Sequence, residues 1–264
     1  MKYEKLIKRI EDIAPLELAE EWDNSGVQIY TGKKEISSVM VCLEITDEVI
    51  SEAEDMQADM IISHHPLFFK PVSSVDICSV QGRQTAGRYA VRLIKDDICV
   101  YSAHLTFDNA DGGNNDHLAE LLGITDAVKL NGKDVTAGII GTLPETTTLG
   151  GLCAELKSTL SLDDREVTGA GDKKTMISRI VICTGSGGDL VQAAAEAGGD
   201  VLVTGDVSYH EAQLATALGL CVIDAGHWGT EKIFTKNFAS RLRERCGKEP
   251  EIAESLVDIN PFMV

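Results

Sequence analysis

Basic residues are scarce: 24 Lys and Arg stand against 42 Asp and Glu, a formal net charge of −18 over 264 residues. With an isoelectric point near 4.7, the chain has no basic stripe to neutralise phosphates, which argues against a nucleic-acid partner. Long apolar runs are missing too. No stretch of 18 apolar residues occurs, and the opening Met1-Lys2-Tyr3-Glu4 lacks the apolar core of a signal peptide. The expectation is a cytoplasmic protein with no membrane partner. The seven cysteines (42, 78, 99, 153, 183, 221 and 246) contain no Cys-x-x-Cys pair. Cys42, Cys99, Cys183 and Cys221 sit inside strand-like runs and read as small buried hydrophobes of a reducing compartment. Neither a disulfide framework nor a thiolate zinc site follows. What is present, a mean hydropathy near zero and enough chain for one large or two ordinary domains, is ordinary for a soluble globular protein.

The most informative stretch is Ile61-Ile62-Ser63-His64-His65-Pro66-Leu67-Phe68-Phe69. Met60, Ile61 and Ile62 form a short apolar run, the pattern of a buried strand in a parallel sheet. Two histidines follow where that strand ends, and Pro66 stops it from continuing. Ligands of open α/β sheets bind at the carboxyl ends of strands. A lone His-His pair is equally readable as a solvated loop, so the remaining histidines decide its weight.

Around this stretch the chain alternates strands and helices. Residues 2–13 carry Leu6, Ile7, Ile10 and Ile13 at helical spacing, and a second short helix follows Pro15. The polar segment Glu20–Gln28 reads as a loop, with Trp22 as the anchor of a turn, leading to a strand at 27–30. Strand 38–43, helix 47–57 and strand 59–63 form one βαβ unit. A helix at roughly 82–95 precedes strand 98–101, and helix 114–122 ends at Gly123. The second half repeats this grammar. At a shift of 141, Val39-Met40-Val41-Cys42 falls on Ile180-Val181-Ile182-Cys183, and Asp59–Ser63 falls on Asp200–Thr204 without a gap. At a shift of about 122, Cys99–His104 meets Cys221–His227 with one glycine extra. Long-period self-similarity of this kind predicts duplication. The expected fold is therefore α/β, with two similar lobes. The first lobe is expected over 1–126 and the second over 127–264, with the C-terminal tail packing back on the first. His64-His65 then correspond to Gly205-Asp206.

Four of the six histidines, His64, His65, His104 and His227, fall at expected strand ends; His117 and His210 fall at or in helices and read as surface groups. Glu231 follows His227 by four residues and Asp108 follows His104 by four, a spacing that puts both side chains on one helix face. Either pair alone is a weak signal. Together, His64, His65, Asp108, His227 and Glu231 form a nitrogen and oxygen set suited to zinc, iron or manganese. Five ligands exceed one tetrahedral site, so two divalent metal ions bridged by a carboxylate are expected. The turn Gly185-Ser186-Gly187-Gly188 reads either as an anion cradle at a helix start or as a tight βα turn.

The motifs Glu21-Trp22-Asp23-Asn24-Ser25-Gly26, Ser63-His64-His65-Pro66-Leu67, Gly112-Gly113-Asn114-Asn115-Asp116, Gly185-Ser186-Gly187-Gly188, Thr204-Gly205-Asp206 and Asp224-Ala225-Gly226-His227 with Thr230-Glu231 resemble the Nif-three-like family. That family is also known as the type 2 homologue of GTP cyclohydrolase I. The likeness runs nearly end to end. It implies a two-lobed α/β subunit with a metal cleft between the lobes, a dinuclear centre there with ligands at His64, His65, Asp108, His227 and Glu231, and a toroidal homohexamer. His104 occupies a family histidine and is expected to act beside the metals or as a proton carrier. Two departures stand out. Leu105-Thr106-Phe107 replaces the family's Thr-Asn-Leu, which is expected to change polarity near the metals, and Glu44 stands where an aspartate is frequent. The span from 126 to 180 leaves no room for the extra domain that many relatives carry.

Two function classes follow. One is a metal-dependent hydrolase acting on a nucleotide or phosphoester-like small molecule, with His104 as the catalytic proton carrier. The other is a non-catalytic assembly that buffers or delivers metal or serves as a protein scaffold.

Overall fold

The computed structural model describes residues 1–72, 75, 85–132 and 135–262; Cys78 and positions 82–84 of the expected third helix lie outside the described residues. The chain begins with α1 (Tyr3–Glu11), β1 (Gly26–Ile29), β2 (Ser38–Cys42), α2 (Asp47–Asp55), β3 (Met60–Ser63) and α3 (Thr85–Lys95). It continues through β4 (Cys99–Ser102), α4 (Leu105–Asp108), α5 (Asn114–Leu121), β5 (Thr125–Lys129), β6 (Ile139–Thr148) and α6 (Leu149–Leu160). Then come β7 (Thr168–Ala170), β8 (Met176–Ser186), α7 (Val191–Glu196), β9 (Val201–Gly205) and α8 (Tyr209–Leu218). The chain closes with β10 (Cys221–Asp224), α9 (His227–Glu231), α10 (Ile233–Cys246) and β11 (Glu251–Glu254). Among the described residues no helix is long and apolar enough to cross a membrane.

Two compact units result, Met1–Ala110 with Phe234–Val264, and Asp111–Ile233. In the first, a five-stranded sheet has the order β1-β4-β3-β2-β11. β2, β3, β4 and β11 are parallel and β1 is an antiparallel edge. β3 and β4 are buried along their whole length, as expected of parallel strands covered on both faces. One face packs Met40, Ile61 and Val100 against Val49, Ile50 and Ala53 of α2 and Ala90 and Leu93 of α3. Thr46 caps α2 by accepting from the Val49 N–H at 3.3 Å, and Asp47 and Glu48 complement its N-terminal dipole.

In the second unit a six-stranded sheet has the order β5-β6-β8-β9-β10-β7, with β8, β9 and β10 parallel. Helix α6 presents Leu149, Leu152, Leu156 and Leu160, each at most 2% exposed, to Ile177, Ile180, Val201 and Ile223. Burying each such leucine contributes about 2 kcal/mol. The central parallel trio β8-β9-β10 repeats β2-β3-β4, and each trio carries an antiparallel edge beside its last strand, β7 on β10 and β1 on β4. The duplicated α/β architecture is thus a property of both sheets.

The division falls at Ala110/Asp111 instead of near residue 126, because Leu118 and Ala119 of α5 belong to the core of the second unit with Ile139 and Leu143. The stretch from Phe234 onward is part of the first unit. There β11 pairs with β2 in the register Ile252↔Val39, and Arg243 donates to the Ile252 carbonyl at 2.9 Å.

Candidate metal centre

In the first unit the register Ser63↔Ser102 brings the ends of β3 and β4 level, so His64, His65 and His104 leave the sheet at one edge. Ser63 and Ser102 share a hydroxyl hydrogen bond at 2.9 Å, and Ser63 also donates to the His65 carbonyl at 2.8 Å. The N–H groups of His64 and His65 are taken up by the Leu43 carbonyl at 3.2 and 3.0 Å. The backbone at the histidine pair is therefore fixed before any ligand arrives.

His64 is fully buried, with its ring 4.8 Å from that of Phe234. Its Nδ1 lies 2.9 Å from the Ala103 carbonyl. A carbonyl only accepts, so Nδ1 carries the proton and Nε2 keeps its lone pair. Nε2 stands 3.7 Å from Oδ2 of Asp108, which is itself 4% exposed. His104 is held in the same way: its Nδ1 donates to Oδ1 of Asp23 at 2.8 Å. Burial pushes the Asp23 carboxyl up, but hydrogen bonds from the His104 ring and the Ser25 hydroxyl outweigh it and hold it below the usual carboxylate range. One nitrogen each from His64, His65 and His104 lie within 4.8 Å of one another. His65 turns Nδ1 toward Glu44, 3.8 Å away.

In the second unit β10 ends at Asp224 and α9 begins at His227. Nε2 of His227 lies 3.1 Å from Oε2 of Glu231, the i,i+4 pairing that the spacing predicts. Nδ1 of His227 donates to Asp206 at 2.7 Å. Glu231 is 2% exposed, and two glycines leave room for this arrangement. Gly185 has φ +75°, and a Cβ there would overlap the Glu231 carboxylate; at Gly205 a Cβ would meet the Gly226–His227 backbone at 2.5 Å. The Gly185 N–H donates to the Thr230 hydroxyl at 2.9 Å, tying the end of β8 to α9.

The Gly185–Gly188 turn is a βα turn. It lies against two carboxylates, those of Glu231 and Glu211, which disfavours a further anion, and α7 behind it is only six residues long. Phe107 packs on Phe234, the ring that lies against His64. It is fully buried, 5.3 Å from Phe234 and 5.0 Å from Phe238, so its ring is part of the core of the unit. Trp22 is 55% exposed and does not anchor its loop; Asn24 does, donating to the Phe68 carbonyl at 2.7 Å. His117 meets Glu120 at 3.4 Å on α5, and His210 lies beside Tyr209 on α8.

Three histidines share one feature: Nδ1 meets a carbonyl or carboxylate oxygen, and in His64 and His227 Nε2 faces a buried carboxylate. That is the tautomer and orientation control seen around metal-bound imidazoles. The donor set fits divalent metals. Each unit sets imidazole nitrogens beside a buried carboxylate, Asp108 in the first and Glu231 in the second, whose removal from water a cation would offset. Asp23 and Asp206 were not legible as participants. Aspartates are common in polar loops, and only the folded structure decides which one reaches an Nδ1.

The pattern of Duf34/NIF3 (NGG1p interacting factor 3) matches residues 1–261. A Clostridium perfringens protein named GTP cyclohydrolase 1 type 2 homolog is 34% identical over 99% of each chain. A Staphylococcus aureus hypothetical protein of solved structure superposes with a TM-score of 0.90 at 26% identity, covering 100% of this chain and 99% of its own. A Bacillus cereus protein related to NIF3 shares the fold at the same TM-score, 23% identity and the same coverage. With the strand-end histidines, the duplicated sheets and a match from the first residue to the 261st, the chain belongs to the Duf34/NIF3 family.

Proposed function

We propose that the protein binds two divalent metal ions, zinc, iron or manganese, through His64, His65, Asp108, His227 and Glu231, and that it is a metal-dependent hydrolase. The observation that supports this most directly is the common orientation of His64 and His227, each with Nδ1 engaged at 2.9 and 2.7 Å and each with Nε2 beside a buried carboxylate. When bound, such ions supply a water of lowered pKa and polarise a phosphoryl, carbonyl or ring carbon. The chain's own residues do the rest. Asp23 holds His104 with Nδ1 protonated, so Nε2 is the atom that accepts a proton from the attacking group and returns it to the leaving group. Asp108 and Glu231, both buried, keep their charge close to the imidazoles and away from bulk solvent, where it acts most strongly. The substrate class is a nucleotide or phosphoester-like small molecule, in keeping with the name of the Clostridium perfringens relative. A cytoplasmic, toroidal homohexamer is part of the same reading.

A second reading draws on a specific observation. The Nδ1–carboxylate contact of His104 is the one a metal-bound histidine makes, so His104 would be a further ligand and the protein a metal-holding or buffering assembly without turnover. The deciding experiment is a screen of metal-replete protein on nucleotides and phosphoesters, with His104→Ala and Asp108→Ala beside the wild type. Turnover abolished in both variants while metal is retained in His104→Ala supports the hydrolase. Metal lost from His104→Ala, with no substrate turned over by the wild type, overturns it in favour of metal holding.

A further inference from the structure

Beside His104 lie two exposed aromatic rings that the metal-centre reading does not use. Trp22 and Phe69 are each 55% exposed. Their centroids are 6.1 Å apart with planes inclined at 57°, and each stands nearly perpendicular to the His104 ring, at 6.3 and 6.1 Å. A single exposed aromatic is unremarkable. This pair is different because the loops carrying it are held together. Asn24 donates to the Phe68 carbonyl at 2.7 Å, the Phe68 N–H donates to Gln28 at 3.2 Å, and Gln28 donates back to the Asn24 carbonyl at 2.7 Å. Phe68 packs on the core of the unit, and the next residue, Phe69, is left at the surface. The result is a fixed, two-ring apolar wall beside an imidazole whose orientation is set by Asp23.

Such a wall suits a flat ring. Aromatic faces stack on heteroaromatic rings of any substitution pattern, because every such ring has a π-face. Trp22 and Phe69 are each more than half exposed, which leaves ring surface for that purpose. We propose that Trp22 and Phe69 form a binding wall for the heteroaromatic ring of a small-molecule substrate, a nucleobase-type ring, which holds the ring or its first substituent against the histidines. The spacings support the second half of that statement. With both aromatic centroids about one ring's width from His104, a stacked ligand meets the imidazole through its ring or an atom attached to it. The substrate class narrows accordingly from phosphoesters in general to nucleobase-bearing compounds altered at or next to the ring. This inference rests on the metal-centre reading.

The test is calorimetric titration of metal-replete protein with GMP and with ribose 5-phosphate, for the wild type and for Trp22→Leu and Phe69→Leu, with metal content and oligomer mass measured on each. The wild type is expected to bind GMP about tenfold or more tighter than ribose 5-phosphate, the size of effect that stacking on one aromatic ring produces. Each variant is expected to lose most of that margin while keeping its metal and its mass. Equal affinity of the wild type for the two probes overturns the aromatic wall and leaves the metal-centre reading standing. Loss of metal or a change of mass in the variants gives the rings a structural role and overturns the wall as well. Failure of both probes to bind overturns the wall together with the nucleotide reading beneath it.

Discussion

Asp59 and Asp200 perform the same task 141 residues apart. Oδ2 of Asp59 accepts from the backbone N–H groups of Ser37 and Ser38 at 2.6 and 3.2 Å. Oδ2 of Asp200 accepts from those of Ser178 and Arg179, both at 2.8 Å. In each unit an aspartate just ahead of the second parallel strand thus clamps the entry to the first. The same shift that aligns the apolar runs also aligns this polar clamp, which an accidental likeness of two βαβ units would not produce. The duplication extends to backbone bonds further on: Ala103 N–H donates to Ser63 O at 2.9 Å, and Ala225 N–H to Thr204 O at 2.8 Å.

The clamp yields a stability prediction. Replacing Asp59 or Asp200 by Ala leaves two N–H groups without their acceptor, and each change is expected to cost about 1–2 kcal/mol in urea unfolding. Burial raises the Asp59 carboxyl, but Lys33 at 2.7 Å and the Ser37 and Ser38 amides outweigh it, so the group titrates below its ordinary range. A carboxylate depressed in the folded state stabilises above its unfolded pKa and loses that contribution as pH falls through the folded value. The wild type should therefore lose stability on acidification below about pH 4, and Asp59→Ala should show a shallower acid limb. Identical acid limbs would refute the assignment.

Glu231 depends on the glycine beneath it. Gly185→Ala adds a Cβ onto the Glu231 carboxylate at a φ of +75°. The expectation is a destabilisation of about 1–3 kcal/mol and a metal affinity about tenfold weaker or more. Gly219→Ala is the control. It has the same φ of +75° but open space around the new atom, so it should cost stability alone. Equal metal affinity in the two variants would contradict the placement of Glu231 among the donors.

Asp23→Asn keeps the shape of the side chain but leaves one acceptor oxygen where the carboxylate offers two, to the His104 ring and to the Ser25 hydroxyl. An amide N–H facing Nδ1 favours the other tautomer, with the proton on Nε2. Turnover or metal affinity should fall by about 10–100-fold. Near-native values for both would mean that the Asp23–His104 contact is only structural.

Phe107 fills the centre of a three-ring cluster with Phe234 and Phe238. Phe107→Ala should cost about 3–5 kcal/mol by thermal or urea unfolding, and Phe107→Leu clearly less. A loss below about 1 kcal/mol in the alanine variant would show that the ring is not part of this core.

The parts of the fold that were legible in sequence are those set by local pattern. Met60-Ile61-Ile62 and Cys99-Val100-Tyr101 announce strands buried on both faces, and His64, His65, His104 and His227 stand out because polar residues follow such runs. β11 was missed because Glu251-Ile252-Ala253-Glu254 carries a single large apolar residue; its extended form comes from pairing with β2, which no local pattern encodes. Helix α6 carried a readable leucine spacing, yet two glycines in its first turn obscure it. The donors of the candidate centre were visible as residue types at strand ends. Their supports, Asp23 and Asp206, stand in quoted motifs, but their pairing with His104 and His227 is set by contacts between separate segments of the chain.

The most direct measurement of the central claim is the metal content of purified protein by mass spectrometry, before and after His64→Ala and Glu231→Gln. About two divalent ions per chain in the wild type, with a clear loss in each variant, is the predicted result. Wild-type protein without stoichiometric metal after reconstitution, or a Glu231→Gln variant that holds metal as the wild type does, would contradict it.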